Sequence, residues 1–112
     1  MNKVVFYNTN SKRFPVLDYI NSQEALRIAK IRNAIRLLVE FGEEDLLSDN
    51  KKLKGSRYKG LHQLTVESSR IIYFIISGNK YILLHSFTKK TNKTPIKELE
   101  IARKRMQEYL SD

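Results

Sequence analysis

Apolar side chains recur at helical spacing before Gly42. Asn21 followed three residues later by Glu24 fits a capping box, which predicts the start of a helix there. Gly42 suits the position just past the last turn of that helix. The apolar positions that define its buried face are Ile28, Ile31, Ile35 and Leu38. A shorter helix is predicted to open at Pro15, in the sequence PVLDYI.

A second helical pattern reaches the C-terminus. Thr94 is a suitable N-cap, and Pro95 suits the first helical position, where its missing N–H is not needed. The apolar stripe of this helix consists of Leu99, Ala102, Met106 and Tyr109.

Four segments have the composition of β-strands. Residues 3–7 are β-branched and aromatic, and apolar residues alternate with polar ones over 61–66. Residues 71–76 and 81–87 follow, and the short separations at Ser68-Ser69 and Gly78-Asn79 predict two hairpins and a three-stranded meander. The whole chain, residues 1–112, therefore predicts one α+β domain. In it, a small antiparallel sheet of the N-terminal strand and the meander packs against two N-terminal helices, with a C-terminal helix.

The first hairpin determines which side chains share a face. If Ser68-Ser69 is a two-residue turn, Glu67 faces Arg70 on a side that also carries Gln63 and Thr65. The other side is apolar enough to pack on the helices, so Arg70 is expected on an open face. There it is either a surface arginine paired with Glu67, or a bidentate clamp for a phosphate group. The spacing favours neither interpretation.

The excess of positive over negative charge lies in the middle of the chain. The formal net charge is +9, and residues 51–93 hold ten basic residues against Glu67 alone. Lys89, Lys90 and Lys93 immediately precede the last helix, where positive charge is unfavourable unless an anion binds. We therefore favour an anion site over a solvated loop at these lysines.

A second basic segment lies upstream. It contains a tyrosine that is able to stack on a base, although a flexible solvated loop fits its composition equally well. Its residues are Lys51, Lys52, Lys54, Arg57, Tyr58 and Lys59. Together with Arg70 and the lysines before the last helix, this segment predicts one continuous basic face, which is typical of a protein that binds nucleic acid.

Several chemistries are excluded or disfavoured by composition. The chain has no cysteine, which excludes disulfides, thiolate nucleophiles and cysteine-based zinc sites. His62 and His85 are far apart in sequence and lack a metal-binding spacing, and the acidic residues near 40–49 are interpreted as a solvated loop. No cofactor and no metal are predicted. Of the two histidines, His85, near Lys89, is the better candidate for a general acid or base.

The longest apolar run, residues 71–76, is far shorter than the roughly 18 residues of a membrane helix. Polar residues interrupt the first 13 positions, so no signal peptide is predicted. We expect a cytoplasmic protein that does not bind membranes.

The order of elements and four sequence motifs resemble the HigB/RelE toxin superfamily, in its phage-derived HigB-like branch. The motifs are KGLHQL, RIIYFI, LLHSFTKKTNKTP and ELEIARKR, and the stretch from His85 to Pro95 is the most specific. This resemblance implies the toxin of a type II toxin–antitoxin system, an mRNA interferase that cleaves mRNA on the ribosome and thereby arrests growth. Its implied partners are a helix-turn-helix, HigA-like antitoxin, mRNA and the ribosome, with operator DNA bound only through the antitoxin.

The resemblance also implies a reaction without a metal. The RNA's own 2′-OH acts as nucleophile, and positioned cations stabilise the phosphorane-like transition state. Arg70 then corresponds to the clamp on the scissile phosphate, and Lys89, Lys90 and Lys93 to phosphate ligands, one of which is a candidate acid.

This chain departs from the family pattern at one point. Where the family often has Glu-Leu-Arg, it has Gln63-Leu64-Thr65. His62 occupies the usual aromatic position and is a candidate to bind RNA in place of the missing arginine. A catalytically weak or inactive RNA- or ribosome-binding module of the same fold therefore remains an alternative. DNA binding by this chain alone is less favoured, because no predicted helix has the basic, base-reading face of a recognition helix.

Overall fold

The computed structural model describes residues 2–42, 50–52 and 56–111. In these ranges, one strand is followed by two helices, four strands and a last helix, an α+β arrangement that confirms the predicted fold class. The elements are β1 (Lys3–Phe6), α1 (Pro15–Asn21), α2 (Ala25–Phe41), β2 (Asn50–Lys52), β3 (His62–Val66), β4 (Ser69–Ile76), β5 (Lys80–Thr88) and α3 (Ile96–Ser111). A single 3-10 turn, Ser56–Tyr58, precedes β3. None of the helices in the described ranges is long and apolar enough to cross a membrane.

The five strands form one sheet in the order β1-β5-β4-β3-β2. Strands β2 to β5 are antiparallel, but β1 runs parallel to β5, with Val5 opposite Ile82. The sheet is therefore mixed, whereas an antiparallel sheet was predicted. The sequence did not indicate the direction of β1, because the spacing of apolar residues is the same in parallel and antiparallel strands. Strand β2 was not predicted, since Asn50–Lys52 has no β-prone side chain and pairs with β3 through its main chain.

Both faces of the sheet are covered. Helices α1 and α2 pack on one face, around Val16, Ile20, Ile31, Leu38, Leu64, Ile71, Tyr73, Tyr81 and Leu83. Helix α3 covers the other face, around Tyr7, Leu61, Ile72, Phe74, Ile82, Leu84, Phe87 and Ala102. The prediction of an open face beside Arg70 is wrong. This face also carries apolar side chains, and the apolar stripe of α3 packs against them.

The helix ends follow the predictions only in part. Gly42 has φ +78° and its N–H donates to the Leu38 carbonyl at 3.0 Å, as expected of a residue past the last turn. The capping box is wrong: Asn21 ends α1, and Glu24 precedes α2 without a side-chain capping bond. Helix α3 begins at Ile96, one residue later than predicted.

The first hairpin turns at Glu67-Ser68, one residue before the predicted position. Val66 lies opposite Ser69, and Thr65 opposite Arg70. Moving the turn by one residue changes every cross-strand partner by two, so each side chain stays on its predicted face. Glu67 adopts a left-handed conformation, φ +55°, which lets the chain reverse in two residues.

Candidate nucleic-acid interface

Residues from several elements lie close together at one end of the sheet. The β3–β4 turn lies there, and the N–H of Lys89, just past β5, donates to the Ser68 carbonyl at 2.7 Å. Residues 89–93, here called the lysine loop, therefore leave the sheet beside this turn. Arg70 lies opposite Thr65 on β3 and Phe87 on β5, on the face that α3 covers.

The guanidinium of Arg70 is only partly satisfied. Its Nη1 donates to the carbonyl oxygens of Glu67 (2.6 Å) and Ser69 (3.1 Å). Among the described residues, its buried Nε has no hydrogen-bond partner. A buried donor without an acceptor costs about 1–3 kcal/mol. Both backbone contacts use Nη1, which leaves Nη2 as the donor for an acceptor brought by a ligand.

The carboxylate of Glu67 points to the other side of the turn. It accepts hydrogen bonds from Arg27 Nε at 2.8 Å and Lys30 Nζ at 2.6 Å, both on α2. The hydrogen bonds from Lys30 and then Arg27 lower the pKa of Glu67 below its usual value. The interpretation of Arg70 as the ion-pair partner of Glu67 is therefore wrong, because α2 supplies two other cations.

Sequence reasoning missed Arg27 and Lys30 as neighbours of this turn. They are polar positions of an amphipathic helix, and Arg27 Nη1 also donates to the hydroxyls of Ser68 and Ser69 at 3.0 Å each. Nothing in the helical spacing indicates which end of the sheet a given polar position will reach.

His85 is bound through both ring nitrogens. Its Nε2 lies 2.8 Å from Glu98 Oε1, and its Nδ1 lies 3.2 Å from Nη1 of Arg105, which also donates to the Leu84 carbonyl at 2.9 Å. A guanidinium only donates, so Nδ1 must be the acceptor and the ring proton belongs on Nε2, where it is donated to Glu98. Glu98 and Arg105, both on α3, were also missed from sequence.

The electrostatics of His85 agree with a neutral ring. Burial lowers the pKa of His85 below its usual value; the hydrogen bond to Glu98 opposes this shift, and the charge of Arg105 adds to it. Protonating Nδ1 would place two donors against each other.

Arg57 and Tyr58 are bound to α3 through Glu100. Arg57 donates from Nε and Nη2 to the two carboxylate oxygens at 2.7 Å each, and the Tyr58 hydroxyl donates at 2.6 Å. The hydrogen bonds from Arg57 and then Tyr58 lower the pKa of Glu100 to about 2. The same contact with Glu100 raises the pKa values of Arg57 and Tyr58.

The remaining predicted residues lie in different places. Lys90 and Lys93 are exposed in the lysine loop, and Lys59 is exposed at the opposite end of β3 from Arg70. His62 is 9% exposed and stacks on Tyr73, ring centroids 5.4 Å apart, on the face that α1 and α2 cover. Lys51 and Lys52 are described only as backbone in β2, and Lys54 lies outside the described residues.

The structure thus brings together Arg70, His85 and the lysine loop, near the N-terminus of α3. Lys59 precedes the opposite end of β3 from Arg70, and Arg57 and Tyr58 are held by Glu100, two residues after Glu98 on α3. The continuous basic face predicted from sequence stays a prediction, because the side chains of Lys51, Lys52 and Lys54 lie outside the described part of the chain. Sequence reasoning did not anticipate that α3 places Glu98 and Glu100 among the cations.

The fold is similar to solved toxin structures. YoeB in the YoeB–YefM toxin–antitoxin complex of Staphylococcus aureus has a TM-score of 0.55 and 15% identity, covering 81% of this chain and 98% of that chain. The RelB–RelE antitoxin–toxin complex of Methanococcus jannaschii has a TM-score of 0.55 and 16% identity, covering 97% and 98%. The YoeB dimer of Staphylococcus aureus has a TM-score of 0.53 and 14% identity, covering 81% and 97%.

At this identity the likeness concerns the fold. None of the curated proteins matches the sequence of this chain. Residues 18–107 do match a protein family, described as "Phage derived protein Gp49-like (DUF891)". These residues include α2, the sheet strands β2 to β5 and most of α3. This chain therefore belongs to the phage-derived Gp49-like family.

Proposed function

We propose that this protein is the toxin of a toxin–antitoxin pair, and that it is a metal-free endoribonuclease that cleaves mRNA on the ribosome. The fold shared with YoeB and RelE supports the toxin role. The phage-derived family supports assignment to the HigB-like branch named in the sequence analysis. Its antitoxin partner is proposed to be a helix-turn-helix protein of the HigA type, through which the pair binds operator DNA.

The observation that carries the enzymatic proposal is the unpartnered edge of Arg70. A phosphodiester has two non-bridging oxygens that accept hydrogen bonds from a guanidinium, and Nη2 of Arg70, which the backbone contacts leave unused, would bind one of them. Arg70 thus clamps the scissile phosphate. The lysine loop beside it adds Lys89, Lys90 and Lys93 as phosphate ligands, and one lysine ammonium protonates the leaving 5′-oxygen.

A metal is not required for this chemistry. Fixed cations stabilise charge that develops on the phosphorane-like transition state. In the described ranges, no group of three histidine, aspartate or glutamate side chains is placed to hold a metal ion.

The proposal is tested with Arg70→Ala, and Arg32→Ala serves as the control. Arg32 is exposed on α2, so the two variants lose the same charge. Removing the clamp is expected to slow cleavage by about 100-fold or more. Growth after induction without antitoxin and primer extension on messages from a translating extract are the measurements. New 5′ ends with wild type and Arg32→Ala, but few with Arg70→Ala, support the proposal; undiminished toxicity of Arg70→Ala would remove Arg70 from the mechanism.

A second candidate is a ribosome-binding module of the same fold that does not cleave. It is favoured by Gln63, a neutral amide where the family often has glutamate. Gln63 is 1% exposed, and its Oε1 accepts a hydrogen bond from the Thr94 hydroxyl at 3.3 Å. Salt-sensitive ribosome binding by wild type without new 5′ ends would establish this alternative.

A further inference from the structure

The proposed reaction needs a base, and the histidine suggested by the sequence is poorly suited. The Nδ1 lone pair of His85 faces the guanidinium of Arg105, and its Nε2 proton is donated to Glu98. A neutral ring in this arrangement has no lone pair left to accept a proton from RNA.

Glu98 has a free acceptor atom, which His85 lacks. Only its Oε1 is bound by His85, and within the described residues Oε2 has no hydrogen-bond partner. The Glu98 side chain is 22% exposed, compared with 12% for His85, so solvent reaches the carboxylate. Glu98 lies in the first turn of α3, directly after the lysine loop.

The strand register places His85, the hydrogen-bond partner of this carboxylate, on the same sheet face as Arg70. His85 and Phe87 point to the same face of β5, and Phe87 lies opposite Arg70. Two residues along a strand span roughly 7 Å, so His85 lies about that far along β5 from the residue opposite Arg70. Glu98 is therefore bound to a residue that shares a sheet face with the group that would hold the scissile phosphate.

We propose that Glu98 is the general base of this site, and that His85 and Arg105 are positioning residues that orient it. Arg105 fixes the tautomer of His85, and the Nε2–H of His85 then fixes the carboxylate through Oε1, leaving Oε2 for the substrate. This inference rests on the proposed function, since it assigns a residue to the proposed cleavage.

Glu98 Oε2 takes the proton of the 2′-hydroxyl, the 2′-oxygen forms a bond to the adjacent phosphorus, and the bond between phosphorus and the 5′-oxygen breaks. The leaving 5′-oxygen takes a proton from a lysine ammonium of the lysine loop. The products are a 2′,3′-cyclic phosphate and a 5′-hydroxyl, and exchange with water returns the proton of Glu98 and restores that of the lysine.

The test compares Glu98→Gln with Glu108→Gln. The amide of Glu98→Gln still accepts the His85 proton but is not a base. Glu108, on the same helix, binds the Tyr7 hydroxyl at 2.7 Å and likewise ties α3 to the sheet, away from the lysine loop. Cleavage rate, ribosome affinity and thermal unfolding are measured for both variants and wild type, across a range of pH.

Glu98→Gln is expected to cleave at least 100-fold more slowly than Glu108→Gln, with ribosome affinity and thermal unfolding unchanged. The wild-type rate should rise with pH on the acid side, and this rise should be absent in Glu98→Gln. The titratable group in contact with Glu98 is His85, whose ring also binds Arg105; both residues are unchanged in the variant.

Equal rates for the two variants would overturn the assignment of the base. So would a rate loss in Glu98→Gln accompanied by equal losses of affinity or stability, because that pattern indicates a structural role. A wild-type protein that leaves RNA intact would overturn the proposed function itself, a result distinct from cleavage by an equally active Glu98→Gln variant.

Discussion

At the scale of single residues, hydrogen-bond partners decide which groups remain available for chemistry. His85 and Arg70 were both candidates from sequence. Arg105 and Glu98 occupy the two nitrogens of the His85 ring, whereas two backbone carbonyls occupy only one nitrogen of Arg70. Arg70 can therefore still bind a phosphate group through its unpartnered edge.

The neutral state of His85 predicts a pH dependence of stability. Because folding lowers the pKa of His85 below 6.5, the unfolded chain binds more protons than the folded chain just below that pH. Its contribution to the free energy of unfolding is therefore complete above pH 6.5 and is lost as the pH falls from there toward the folded pKa. In urea titrations, the free energy of unfolding should fall less between pH ~7.5 and ~5.5 for His85→Gln than for wild type. Parallel curves for the two proteins would contradict the lowered pKa.

At the scale of elements, α3 determines the character of the sheet face that carries Arg70. Polar contacts attach the helix near both ends, through Glu98 to His85 and through Glu108 to Tyr7. Between them, Ala102 is fully buried against the sheet. A small residue at this position lets the helix approach closely enough for both contacts to form.

The close approach of α3 predicts the effect of a larger side chain. Ala102→Leu should lower the free energy of unfolding by about 1–3 kcal/mol, because three further carbon atoms must fit into a filled interface. Ala29→Leu, on the exposed side of α2, makes the same chemical change without burial. Urea denaturation of the two variants measures the difference, and equal stability would mean that α3 sits more loosely than described.

At the scale of the whole molecule, the net charge of +9 is spread over separate surfaces. The lysine loop and Arg70 share one end of the sheet, and Lys59 is exposed at the other end of β3. Glu67 and Glu100 each bind two of the basic or phenolic groups nearby. RNA affinity should therefore depend on which basic residues are present at the proposed site, and not on the total charge alone.

Salt dependence of RNA binding tests this arrangement. Each lost phosphate contact to a single strand reduces the slope of log affinity against log salt by about 0.7, so Lys89→Ala with Lys90→Ala should reduce it by about 1.4. Lys3 and Lys80 lie opposite each other at the far end of β5, and replacing both with alanine should leave the slope nearly unchanged. Binding of a fluorescent RNA oligonucleotide at several salt concentrations provides the slopes; equal slopes for both double variants would indicate that bulk charge alone attracts RNA.

The sequence predicted the parts of this protein that depend on local periodicity. Apolar residues recur about every 3.6 positions in α2 and α3 and every second position in β3. These repeats can be read directly from the sequence, because they depend only on the spacing of side chains along the chain. Arg70, Gln63 and Thr65 were assigned to the correct face even though the turn was misplaced by one residue, because such a shift preserves the alternation.

Tertiary structure alone decided which groups meet. The parallel direction of β1, the pairing of the polar strand β2 and the placement of α3 over Arg70 depend on backbone geometry that side-chain patterns do not encode. Glu98 and His85 are 13 residues apart, and Arg27 and Glu67 are 40 apart, so only the folded chain brings them into contact. The sequence by itself determined all the regular elements except β2, and the excess of positive charge. Packing, which joins residues distant in the chain, determined which cation is left with an unpartnered donor and which carboxylate binds His85.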